Sequence, residues 1–177
     1  TELTEDCALE ILTFDDDYGK WTFRHTASHI LAQAVKRLFP DALVTIGPAV
    51  EDGFYYDFDV KTNFTNDDLL KIEGEMKKIV KEDIKIERFT MSKDEAVKYF
   101  TEKNEPYKVE LVEAIPDGEE ISFYSQGDFT DLCAGAHLMS TGMVKAFKLT
   151  SATGAYWRGN SDNKMLTRIY GTAFTKK

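Results

Sequence analysis

The period of the apolar residues changes along this chain, and that change restricts the fold more than any other feature. Between residues 24 and 39, Ile30, Leu31, Ala34, Val35 and Leu38 recur at helical spacing, and Pro40 ends the run. A second helix is expected over about 66–82. Thr65 and Asp68 resemble a capping box there, and Leu69, Ile72, Met76, Ile79 and Val80 form its apolar face. Ser92 and Glu95 open a third helix with Ala96, Val97 and Phe100 inward, and 105–114 reads as a turn or short helix. Residues 43–60 read as extended, and Asp52-Gly53 between two apolar runs favours a hairpin. Residues 8–14 and 84–90 are further strand candidates, with the acidic stretch 15–19 as a turn. From 121 onward the expectation is mostly strand, at 121–125, 146–149, 154–157 and 166–174. Helices early and strands late point to an α+β fold, an antiparallel sheet packed with helices.

Size and composition narrow the class. A chain of 177 residues suits one medium domain, or one domain plus a tail, and can bury a core without disulfides or metal. With 42% apolar and 30% charged residues it is not a disordered chain. No apolar run approaches the roughly 20 residues that span a bilayer. The start, Thr1-Glu2-Leu3, has neither an initiator Met nor a signal pattern, so a cytoplasmic location, no membrane partner and a longer parent chain are expected. Cys7 and Cys133 read as free thiols. The net charge of −9 is uneven: Lys145, Lys148, Arg158, Lys164, Arg168, Lys176 and Lys177 face only Asp162 after residue 139, giving +6 there and −15 elsewhere. Such asymmetry fits either a nucleic-acid partner or solvated strand faces.

The residues that carry chemistry are sparse. There are three histidines. His25 and His29 stand four apart on the first expected helix, about 40° from each other around its axis and off its apolar stripe. His137 follows Cys133 by four in Asp131-Leu-Cys-Ala-Gly-Ala-His137, where Gly135 would permit a tight loop. Imidazole and thiolate are zinc ligands, so His25, His29, Cys133 and His137 suggest a metal site. Four protein ligands make a closed, structural zinc site, whereas catalysis needs an open position. Either one of the four stands off the metal, or the side chains hold a reacting water without one.

With these motifs in view, the chain resembles the editing domain of bacterial-type threonyl-tRNA synthetases. The resemblance rests on Arg24-His-Thr-Ala-Ser-His-Ile-Leu31, Ile46-Gly-Pro48, Gly53-Phe-Tyr-Tyr-Asp57 and Asp131-Leu-Cys133 with His137. Gly154-Ala-Tyr-Trp-Arg-Gly159 and Arg168-Ile-Tyr-Gly-Thr-Ala-Phe174 favour the threonyl family over related alanyl-tRNA editing proteins. The match covers about 20–177, which implies an editing domain ending at the junction to a catalytic domain. Residues 1–19 are then the tail of a small preceding domain, or a linker. Ala136 stands where the family commonly has Pro, which removes a fixed φ from the loop. Ala134 replaces a common Arg.

The resemblance implies hydrolysis of seryl-tRNA(Thr), with the misacylated acceptor end as partner. It implies catalytic work at His25, His29, Lys108, Asp131, Cys133 and His137, an amino-acid pocket shaped by Tyr56, and tRNA contacts from Arg158, Lys164 and Arg168. No cofactor is required on this reading. Zinc could sit at the editing site, and ATP belongs to the catalytic domain, whose motifs are not found here. The intact family is dimeric, while a monomer is expected for this piece. A freestanding trans-editing deacylase, or a non-catalytic zinc-stabilised RNA-binding module, also fits the two histidine and cysteine pairs.

Overall fold

A computed structural model describes residues 4–176; residues 1–3 and Lys177, one cation of the basic segment, lie outside the described residues. The fold is α+β, with two antiparallel sheets and four α-helices among the described residues. No described helix is long and apolar enough to cross a membrane.

The first helix, α1 (Asp17–Leu38), is the axis of the molecule. It starts earlier than the apolar period indicates, because Asp15-Asp-Asp17 sits at its N-terminus, where the helix dipole favours acids. Residues 8–14 form no strand: Leu9 and Ile11 are exposed, and no neighbouring strand pairs with them. Every residue from Phe23 to Val35 is buried, so α1 has covered faces on all sides rather than one apolar stripe.

The larger sheet holds β1 (Leu43–Val44), β2 (Ala49–Val50), β3 (Gly53–Asp59), β7 (Ala146–Tyr156) and β8 (Met165–Phe174). Its order is β1-β3-β8-β7, with β2 paired to the start of β3. The Asp52-Gly53 hairpin forms, with Val50 opposite Gly53. The expected strands at 146–149 and 154–157 are one continuous β7 with an irregularity between Leu149 and Ser151. Helices α1 and α2 (Asn66–Glu82) cover this sheet, and Ile30, Leu31, Val35, Phe54, Phe58, Ile72, Met76 and Ile169 fill the core between them.

The smaller sheet, β4 (Ile86–Met91), β5 (Ile121–Gln126) and β6 (Phe129–Leu132), packs on α3 (Lys93–Glu102) and α4 (Pro106–Glu113). Its core is built on Ala96, Phe100, Val112, Ile121 and Phe123. The capping boxes of Thr65 with Asp68 and of Ser92 with Glu95 both form, which fixes the starts of α2 and α3. Strand β6 carries Asp131 and was not expected from the sequence; its four residues are too few to show a period.

The two cores meet along a polar seam. Gln126 Nε2 donates to Gln33 Oε1 at 2.8 Å, and Gln33 Nε2 donates to the Gln126 backbone carbonyl at 3.0 Å. Lys36 pairs with Glu105 at 2.7 Å, and Glu105 also accepts the Val44 amide at 3.0 Å.

Candidate functional site

The site lies on that seam. Helix α1 supplies His25 and His29; β3 supplies Tyr56; α4 supplies Lys108; β6 and the loop after it supply Asp131, Cys133 and His137. One donor atom from each of His25, His29, Cys133 and His137 falls within 4.8 Å of the others. The Cys133 Sγ stands 3.3 Å from His137 Nε2 and 3.6 Å from His25 Nε2. The rings of His25 and His137 lie 4.4 Å apart, and those of His29 and His137 4.1 Å apart. The helical phase does turn the histidine pair away from the apolar stripe, but towards this loop rather than solvent, since His25 is 8% and His29 2% exposed.

Beside the cluster is a buried charge pair. The Lys108 ammonium contacts Asp131, and both residues are almost fully buried. The Tyr56 hydroxyl donates to Asp131 Oδ2 at 2.6 Å and accepts from Lys108 Nζ at 3.1 Å. Asp131 Oδ2 is 3.7 Å from His29 Nε2, beyond a good hydrogen bond. Gly47 lies so close to Tyr56 that any Cβ would strike the ring.

Burial governs the electrostatics. It pulls the His25 imidazole down to about 4, against the opposing pull of Asp131. Burial, His25 and Lys108 hold His29 well below its ordinary value, and burial with the two neighbouring imidazoles does the same to His137. Burial and Asp131 push the Cys133 thiol up to about 12. At neutral pH the cluster is therefore three neutral imidazoles and a protonated thiol, a set of lone pairs without net charge.

The donor set fits zinc. Donors in a tetrahedral zinc site stand about 3.3–3.8 Å apart, close to the two sulfur–nitrogen separations here. The buried Nδ1 atoms of His25 and His29 have no hydrogen-bond partner among the described residues. Bound zinc would hold Cys133 as thiolate and leave the imidazoles neutral.

The loop between Cys133 and His137 owes its path to close packing. Gly135 is not among the glycines with positive φ. Its Cβ would overlap the Trp21 ring and crowd His25 Cε1, so glycine serves close approach. Trp21, which sequence reasoning passed over, lies tilted against His25 at 4.5 Å, and Tyr124 lies 4.5 Å from His137. Trp21 stands one turn before His25, a spacing that could have marked it. Nothing in the sequence around Tyr124 could.

The basic residues do not join this cluster. Arg168 makes a two-pronged pair with Asp57 at 2.7 and 2.8 Å and covers the Tyr55 ring. Lys164 pairs with Asp59 at 2.7 Å and Arg158 with Glu110 at 2.9 Å. Lys164 and Arg158 keep much of their surface open; Arg168 does not.

Comparison with known proteins narrows the family. Residues 121–170 match the threonyl and alanyl tRNA synthetase second additional domain. A threonine–tRNA ligase of Acetivibrio thermocellus is 67% identical over 175 residues, 99% of this chain and 28% of the relative. Threonine–tRNA ligases of Clostridium botulinum and of Caldanaerobacter subterraneus subsp. tengcongensis are each 64% identical over all 177 residues and again 28% of their own length. The chain thus carries the second additional domain shared by threonyl and alanyl tRNA synthetases. More narrowly, it corresponds to a region of the threonine–tRNA ligases, and spans a little over a quarter of the curated relatives it matches.

Proposed function

We propose that this chain is the editing part of a threonine–tRNA ligase and hydrolyses the ester of serine misattached to tRNA(Thr). The observation that carries the reading is the buried convergence of His25, His29, Cys133 and His137 beside the Lys108–Asp131 pair. The task has a physical reason. Serine is threonine minus one methyl, and one methyl gives only about 10–200-fold discrimination in a synthetic site, so a second, hydrolytic site is needed.

The roles combine what the family resemblance implies with the burial of these side chains. Neutral His25 and His29 offer lone pairs that hold a water and take its proton as it adds to the ester carbonyl. The ester C–O bond then breaks, and the terminal ribose hydroxyl leaves with a proton. Cys133 acts as a positioning group rather than a nucleophile, because burial keeps its thiol protonated. His137 completes the cluster. Lys108 places a positive charge where the oxyanion develops or binds the ribose, Asp131 receives the amino group of serine, and Tyr56 walls the amino-acid pocket. Zinc held by three of His25, His29, Cys133 and His137, with the fourth standing off, would keep a position open and polarise a water or the carbonyl as a Lewis acid. Arg158, Lys164 and Arg168 contact acceptor-end phosphates, with Arg158 and Lys164 the freer to do so.

Deacylation of seryl-tRNA(Thr) tests the proposal. His25→Ala, His29→Ala, Cys133→Ala and His137→Ala should each lose about 10²–10⁴-fold in rate with the circular dichroism unchanged. Rates untouched by all four changes would sink it. The closed four-donor geometry favours one other reading, a zinc-stabilised RNA-binding module. Absence of hydrolysis together with unfolding on chelation would select that one.

A further inference from the structure

Thr26 sits one residue after His25, is fully buried, and belongs to neither apolar core. Its hydroxyl has three neighbours. It donates to the Thr22 carbonyl at 2.9 Å, accepts the Leu138 amide at 3.0 Å, and lies 3.2 Å from His137 Nδ1. A hydroxyl has one hydrogen and two acceptor sites. With the hydrogen on Thr22 and one acceptor site taken by Leu138, the site left for His137 accepts. The Nδ1 of His137 must then carry the proton, and its Nε2, 3.3 Å from Cys133 Sγ, keeps a free lone pair turned into the cluster.

We propose that Thr26 is a positioning residue that fixes His137 as its Nδ1–H tautomer and anchors the 133–138 loop on α1. The two bonds to Leu138 and His137 hold the loop from the helix interior, which compensates for Ala136. The same tautomer serves both a metal-free site and a zinc-loaded one, since each needs the Nε2 lone pair. The consequence for rate rests on the hydrolase reading; the tautomer itself does not.

Long-range proton–nitrogen correlation spectra of the chain labelled with ¹⁵N-histidine give the direct readout, because only three histidines are present. Signals are assigned with His25→Gln and His29→Gln. The wild type should show His137 protonated at Nδ1. Thr26→Val should move it toward the Nε2–H form and lower seryl-tRNA deacylation about 10–100-fold, the usual cost of losing a partner that orients a working imidazole. Thr26→Ser should restore both. A wild-type His137 protonated at Nε2, or a folded Thr26→Val with the tautomer unchanged, overturns the proposal. If the wild type hydrolyses no seryl-tRNA, the hydrolase reading falls, and the nitrogen spectrum alone still decides between these results.

Discussion

The two packed halves of the molecule differ in how they hold their share of the site. The larger half places His25, His29 and Tyr56 on long elements, α1 and β3, whose surroundings are apolar and fully covered. The smaller half places Lys108, Asp131, Cys133 and His137 on a two-turn helix, a four-residue strand and a loop, over a core of a few residues around Phe100 and Phe123. Contact between the halves is mixed: Phe129 of β6 and Leu138 pack on the larger core, while Gln33 with Gln126, Lys36 with Glu105, Tyr56 with Asp131, and Thr26 with the Leu138 amide pair by polar bonds. Apolar burial stabilises each half, while directional bonds across the seam set the distances that matter for chemistry. One half is the template and the other is aligned to it.

The sharpest way to break that comparison is to disrupt the seam at its buried charge. Lys108→Met leaves the Asp131 carboxylate buried with no cation, which should destabilise the fold by about 3–5 kcal/mol in urea denaturation and abolish deacylation. An unchanged midpoint would mean that the pair is not desolvated as the structure shows. Cutting each core separately comes next. Phe123→Ala should cost about 3–5 kcal/mol and Met76→Ala about 2–5. Hydrogen exchange then distinguishes them: Phe123→Ala should loosen β4 to β6 and leave α1 and β3 protected. Uniform loss of protection would show that the halves unfold as one unit.

The smallest effect is that of pH on a single histidine. The buried histidines have lowered affinity for protons in the folded state, so the unfolded chain binds more protons on acidification. Stability is therefore complete above the unfolded value of about 6.5 and declines as pH falls toward the folded His25 value of about 4. His25 alone should cost about 2 kcal/mol by pH 5, read as a falling denaturation midpoint in chelator-treated protein. A flat midpoint from pH 7 to 5 would contradict neutral burial of these rings.

Elements with local signals were readable without the structure. The capping boxes at Thr65 and Ser92, the stop at Pro40 and the Asp52-Gly53 hairpin all depend on neighbours within a few residues. The start of α1 and the short β6 were missed because an acidic stretch suits both a turn and a helix N-terminus, and because four residues carry no period. Residues 8–14 alternate like a strand, yet a strand exists only where another edge accepts its hydrogen bonds, and among the described residues none does.

The candidate site divides along the same line. The sequence by itself determined the inventory: three imidazoles, a thiol, their paired spacings, and a helix on which His25 and His29 share a face. It also determined the local geometry of α1, since helix periodicity is a property of adjacent residues. Only the tertiary structure decided that Cys133 and His137 meet that face, that Lys108 and Asp131 are buried together, and that Arg168 is tied to Asp57. It also decided that Thr26 holds the loop and that Gly135 is small for the sake of Trp21. Those facts join residues a hundred positions apart or settle how deeply they are covered. Both follow from how two cores close against each other, which no window of local sequence contains.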